Sequence, residues 1–319
     1  MQVDAYRITQ DRLLAPVDAR DMSDEWFLDD TVRWIKITSA TPEEVEQALR
    51  PLELEPRIVD ACVYPQPPQV QVFEKVLFLA MPLWNSRVTA TSSFRFVGVA
   101  TTLITIQEEP LEFIEERTQH LLAAQHILDV SVTALALDLV EALMRSQFPL
   151  YLTLRADVDA VGDVLEKTPE DVGADDLTGL KRRATRLSNL LEDYLYCLLA
   201  LQEARSETLQ LATVRAGFQD LVGNVQKGQK LVARVEDRIR DLRQSSLSYL
   251  QESTNRRLNI LAVLSAIYLP STLIAGIYGM NFDNIPITKV PYGYFIVLAL
   301  MIGLVAGQVW FFYRRGWLK

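Results

Sequence analysis

The chain predicts an α+β domain at its N-terminal end, a long helical stalk after it, and two transmembrane helices at its C-terminal end. Three observations carry this. Leu258 to Ile277 is apolar and free of formal charge, and about 20 such residues suffice to cross a bilayer as a helix. A second apolar run, Tyr292 to Phe312, follows after a short polar loop. Upstream, β-branched and aromatic runs near the N-terminus give way to long stretches with apolar residues at helical spacing. The boundaries read as 1–110 for the α/β part, 111–212 for antiparallel helices and 213–257 for the stalk helix. The spans follow as 258–279 and 292–313, with a 280–291 loop between them and a 314–319 basic tail.

Val32–Thr38 alternates as a strand does. Thr41-Pro-Glu-Glu-Val-Glu-Gln-Ala-Leu49 opens on an N-cap threonine, a proline at the first helical position and acids in the first turn, all helix-start signals. Val70–Leu83 and Phe94–Ile106 are rich in strand-forming residues. From Ile114 to Glu166 the pattern is helical, with Pro149 as a kink or break. Thr168-Pro-Glu-Asp-Val-Gly-Ala-Asp-Asp176 is a turn, and a second helix covers about Leu177 to Leu209.

A third helix starts near Thr213 and runs on into the first span. At 1.5 Å per residue, sixty-odd residues extend ~100 Å, and such a helix needs neighbours. Its stripe of Leu221, Val225, Leu231, Val232, Val235, Ile239, Leu242, Leu247 and Leu250 suits either a stalk of several copies or a three-helix bundle within one chain.

Basic residues set the orientation. Arg256 and Arg257 precede the first span, and Arg314, Arg315 and Lys319 follow the second, while the loop holds one Lys289 and one Asp283. The positive-inside rule places both termini in the cytoplasm. Tyr292, Tyr294, Trp310 and Trp317 sit at the ends of the second span, where aromatic rings anchor at the interface. No signal peptide is expected, because Met1–Arg12 is polar.

On a helical wheel, Leu258, Ala262, Ser265, Leu269, Thr272 and Gly276 share one stripe of the first span, with Leu261 and Gly279 at its edge. Copies of this stripe around an axis would form a tube of hydroxyl rings and apolar constrictions, and leucine rings gate by dewetting. A charge-free stripe suits a divalent ion that keeps its water, as magnesium does. Small residues in a span also mark helix–helix contact faces, and the wheel alone leaves both readings open. Gly279 permits a turn at the helix end, and the Asn281 carboxamide oxygen could accept from a metal's water or simply cap the helix.

Tyr268-Leu-Pro-Ser-Thr-Leu-Ile-Ala-Gly-Ile-Tyr-Gly-Met-Asn-Phe282, followed by a second span and a basic tail, resembles the CorA superfamily of divalent cation channels. So does the strand, helix, helix, strand, strand order upstream. The resemblance implies a homopentameric membrane channel whose cytoplasmic α+β domains form a funnel, with the lipid bilayer and further copies of the chain as its partners. It implies an entrance filter of Gly279, Met280 and Asn281, and pore positions Thr272, Leu269, Leu261, Leu258 and Asn255, the last near the cytoplasmic end. It further implies a regulatory metal site between subunits. Asp220 matches the stalk carboxylate by ungapped counting from the Gly-Met-Asn, and Asp60 matches its partner. Two solvated surface acids are the plain alternative.

The cargo implied is Mg²⁺, Co²⁺, Ni²⁺ or Zn²⁺, with no cofactor. Two departures stand out. Pro67-Pro68 lacks the family's usual preceding basic residue. The outer loop reads Ile285-Pro-Ile-Thr-Lys289 where the magnesium type carries a glutamate, which leaves Asp283 as its acid. A less acidic mouth resembles the zinc-transporting ZntB-like branch more.

Other classes fall away. A net charge of −9 argues against a nucleic-acid partner. Cys62 and Cys197 are far apart and form no Cys-x-x-Cys site, so free thiols are expected. His120 and His126, six residues apart, would point roughly 240° apart on one helix and so share no metal. No phosphate-binding loop and no nucleophile–base spacing appears, so no enzyme is expected. A membrane-anchored scaffold or sensor without ion flux is the competing class.

Overall fold

The computed structural model describes residues 1–18, 30–64, 66–73, 75–84, 92–123, 126–205, 209, 211–280, 285–287 and 291–316. The chain divides into two compact units, Met1–Arg240 and Asp241–Lys319.

The first unit is organised on seven strands: β1 (Gln2–Ile8), β2 (Leu14–Val17), β3 (Arg33–Thr38), β4 (Gln69–Val72), β5 (Val76–Leu83), β6 (Ser92–Val99) and β7 (Thr102–Gln107). They form one sheet in the order β2-β1-β3-β7-β6-β5-β4. β3 and β7 pair in parallel, with Ile35 opposite Ile104. The segments read as single strands at Val70–Leu83 and Phe94–Ile106 are two antiparallel hairpins, β4–β5 and β6–β7. The breaks fall at short turns that apolar content alone does not mark. β1 and β2 were not anticipated as strands: β1 is rich in polar residues and β2 is four residues long with Pro16 inside it, and β1 is held by β3 on one side while β2 pairs with β1 on the other.

Helices cover both faces. α1 (Pro42–Leu49) and α2 (Pro56–Val63) lie on one, where Val45, Leu49, Ile58, Ala61 and Cys62 pack on Ile35, Ile37, Phe78, Ala80, Val97, Ile104 and Ile106. The start of α1 is a capping box. The Thr41 side chain accepts from the Glu44 N–H, and the Glu44 carboxylate accepts from the Thr41 N–H.

α3 (Glu112–Leu122), α4 (Val132–Lys167) and α5 (Ala174–Glu203) serve the opposite face. Trp34, fully buried, donates its indole N–H to Thr105 Oγ1 at 3.1 Å. Lys36 reaches Glu115 of α3 at 2.8 Å and Asp4 of β1 at 3.1 Å. Burial alone would lower the Lys36 ammonium, but these hydrogen bonds outweigh it and hold it above its ordinary value. Gly98 lets α4 approach, since a Cβ there would come 2.8 Å from Val132 Cγ1. Tyr194 of α5 donates to the Pro82 carbonyl at 3.0 Å.

Of the kink or break expected at Pro149, the break is not there. α4 continues through Pro149, and the helical pattern is interrupted between α3 and α4 instead. Ser131 caps the new helix by accepting from the Ala134 N–H at 3.1 Å. The carbonyl that Pro149 leaves without an N–H belongs to Arg145, an exposed residue. α5 ends earlier than the apolar pattern suggested, at Glu203.

α6 (Leu211–Tyr278) is one helix of 68 residues, and α7 (Gly293–Arg314) follows it. Both are long and apolar enough to cross a membrane. Within the first unit, Leu221, Val225, Val232, Val235 and Ile239 are buried in the chain itself. That part of the stripe is therefore covered within one chain; in the second unit Leu242 is also buried, whereas Leu247 and Leu250 are exposed.

Candidate functional site

The last part of α6 has two unlike faces. Val263 and Ile267 are buried, and Ala266, Pro270, Ser271, Ile274 and Tyr278 are partly so. At helical spacing these form the side that packs on α7. The stripe of Leu258, Ala262, Ser265, Leu269, Thr272 and Gly276 lies opposite, and every member is exposed. Leu269 is 73 % exposed and Leu261 61 %. The small residues of the stripe are therefore not the contact face for the neighbouring span of the same chain. Asn255 is exposed at the inner end, beside Arg256 and Arg257.

The stripe's hydroxyls are already oriented. Ser265 Oγ donates to the Leu261 carbonyl at 2.9 Å, and Thr272 Oγ1 donates to the Tyr268 carbonyl at 2.9 Å. Each proton is spent on the preceding turn. What each oxygen offers outward is its lone pairs, an acceptor surface. A cation's bound waters point their hydrogens outward, so acceptors are the groups that suit them.

At its outer end α6 tightens. The Gly279 N–H donates to the Ala275 carbonyl at 2.9 Å and the Met280 N–H to the Ile277 carbonyl at 3.3 Å. Gly279 lies in the turn expected at the helix end and makes it without the left-handed region; among the described residues Gly316 is the glycine with positive φ. Its missing side chain serves close approach, because a Cβ would lie 3.1 Å from the Ala275 oxygen. Met280 is exposed. Asn281 and Asp283 lie outside the described residues.

Gly293, at the first position of α7, escaped the sequence reading. A Cβ there would overlap the Ile287 carbonyl oxygen, and Ile287 and Tyr292 both have positive φ, 71° and 72°. The one cue available was a glycine two residues after Pro291.

Asp60 on α2 and Asp220 on α6 are both exposed, and neither side chain forms a hydrogen bond or ion pair among the described residues. Nor do those residues include a group of three or more His, Cys, Asp or Glu side chains placed to hold a metal. His120 lines a cavity of about 350 Å³ with Glu116, the Arg117–Asp138 ion pair and Glu141. His126 lies beyond the end of α3, with Nδ1 2.8 Å from the Asp11 carbonyl oxygen. The two histidines do not share a helix. Both cysteines are free and buried. Burial pushes the Cys62 thiol up to about 12, against the pull of the Arg95 charge, and the Cys197 thiol likewise to about 12.

Comparison with known proteins adds to this geometry. A family model described as CorA-like Mg²⁺ transporter protein matches residues 29–314. The cobalt/magnesium transport protein CorA of Thermotoga maritima is 24% identical over 299 residues, covering 90% of this chain and 84% of that protein. The complete structure of the CorA magnesium transporter from Methanocaldococcus jannaschii has a TM-score of 0.85 at 18% identity and covers 99% of each chain. The ZntB cytoplasmic domain from Vibrio parahaemolyticus has a TM-score of 0.59 at 14% identity, covering 78% of this chain and 98% of that one. The two structural likenesses speak to the fold alone.

Proposed function

The chain belongs to the CorA-like Mg²⁺ transporter family, membrane proteins that move divalent cations rather than enzymes, and we propose that several copies of α6 surround a pore that passes hydrated Mg²⁺. Five copies, as in the resemblance drawn above, would make the ring. Gly279, Met280 and Asn281 form its mouth, Asp283 adds acidity, and Thr272, Ser265 and Gly276 alternate inward with Leu269, Leu261 and Leu258. Asn255 stands at the cytoplasmic end, and both termini lie in the cytoplasm.

The observation that carries this reading is the exposed stripe opposite the α7 face, with its two hydroxyls turned into acceptors. Acceptors bind the ion's waters without stripping them, and the leucine rings close the path by dewetting when the ring narrows. Asp60 and Asp220, from neighbouring copies, would bridge a regulatory Mg²⁺ in the cytoplasm; both carboxylates are exposed, as such a bridge requires. Loss of that ion leaves like charges repelling and loosens the ring.

A ZntB-like zinc route is the second reading. It draws support from the mouth loop, where Ile285-Pro-Ile-Thr-Lys289 carries no glutamate. Flux into liposomes holding the full chain decides between them. Mg²⁺, Co²⁺, Ni²⁺ and Zn²⁺ are each supplied with and without a proton gradient. Mg²⁺ influx driven by membrane potential, cut about tenfold or more by Asn281→Ala, is expected if a filter of amides sets passage. Zn²⁺ flux that needs the proton gradient would favour the second reading. A scaffold would pass none of the four.

A further inference from the structure

Pro270 sits inside α6. It has no N–H to give to the carbonyl four residues back, that of Ala266, and its ring crowds that same group. In a span there is no water to repair the loss, so a neighbouring helix must. Here one does: Gln308 of α7 donates its side-chain N–H to the Ala266 carbonyl at 3.0 Å. Gln308 is an amide within an otherwise apolar stretch of α7. Its Oε1 is buried with no partner among the described residues, so this N–H bond is what holds the side chain in place. A buried amide left half-satisfied is costly, and packing alone gives no reason to keep it.

The position matters for the pathway. Leu269 precedes Pro270 directly and Thr272 follows two residues later, both on the exposed stripe, while Ala266 and Pro270 lie on the α7 side. We propose that Gln308 is a positioning residue of the transport path: it replaces the hydrogen bond that Pro270 removes, and so fixes the turn of α6 that presents Leu269 and Thr272. This rests on the reading of α6 as the pore helix. Gln308 touches no ion; it acts through the backbone of Ala266.

A double-mutant cycle in the full chain tests it. Gln308→Met keeps length and volume but loses the donor. Pro270→Ala returns the missing N–H to Ala266, and Pro270→Ser serves as a second background should the first not assemble. Interhelical hydrogen bonds in membranes are modest, so Gln308→Met is expected to lower maximal Mg²⁺ flux about threefold. The half-saturating Mg²⁺ concentration, set at the mouth, is expected to stay unchanged.

In either Pro270 background Gln308→Met should then have no further effect on flux or on the unfolding temperature in detergent, because the carbonyl has its N–H back. Effects that simply multiply in the double variants would overturn the proposal, as would a Gln308→Met protein with wild-type flux. The unfolding measurement reads the bond without reference to transport, and Asn281→Ala flux reads the pore, so failure of the pore reading is separable from failure of this one.

Discussion

The sheet unit and the span pair treat their apolar residues in opposite ways. Trp34, Phe78, Phe94 and Phe96 are fully buried within one chain. Leu258, Leu261, Leu269 and Leu273 of α6 and Phe295, Ile302 and Trp310 of α7 are exposed in that same chain, each by more than half. Burial of apolar side chains is the main stabilising term in folding. The first region therefore obtains its stability from its own residues. The second, taken as one chain, leaves its apolar surface to be covered by lipid or by further copies. One sequence thus encodes two solvents.

Three substitutions or treatments sharpen this contrast. Trp34→Ala is expected to have the largest effect, costing ~3–5 kcal/mol of stability as other large core truncations do. Denaturant unfolding of the purified chain, followed by far-UV circular dichroism, measures it; a loss below ~1 kcal/mol would mean the sheet is not packed as described.

The buried thiols come next. With Cys62 and Cys197 pushed from their ordinary value of 9.0 to about 12, maleimide labelling of the native chain at pH 8 should run about a thousandfold slower than that of the unfolded chain. The sign for stability follows from the same shifts. The contribution is complete below about pH 9, where the unfolded thiols are also protonated, and is lost as pH rises towards 12.

The smallest stability effect belongs to Leu269→Ala. At 73 % exposure it should change the stability of the detergent-solubilised chain by less than ~0.5 kcal/mol, while raising Mg²⁺ flux by widening an apolar ring. A large stability loss with unaltered flux would mean that Leu269 is a packing residue.

Much of the architecture was legible because local chemistry and tertiary packing agree. Thr41-Pro42-Glu43-Glu44 starts a helix in the structure as it does in the sequence, since the cap is made by side chains within one turn. The two spans are visible because an uncharged apolar run has few other uses. The stripe of α6 was also readable, because helical spacing alone decides which residues share a face.

Where reading failed, the deciding group lay outside the apolar pattern. Pro149 does not break α4, and Ser131 rather than proline marks the boundary. Gln308 drew no notice at all, as nothing adjacent in sequence connects it to Ala266, 42 positions away.

By itself, then, the sequence determined the spans, the uncharged stripe and the family motif Gly279-Met280-Asn281, all properties of spacing and composition within a few helical turns. Tertiary structure decided which side of α6 meets α7, which carbonyl Gln308 completes and which glycine of the sheet lets α4 approach. Those depend on groups that only folding brings within about 3 Å of one another, the distance at which a hydrogen bond forms, and no periodicity along the chain records it.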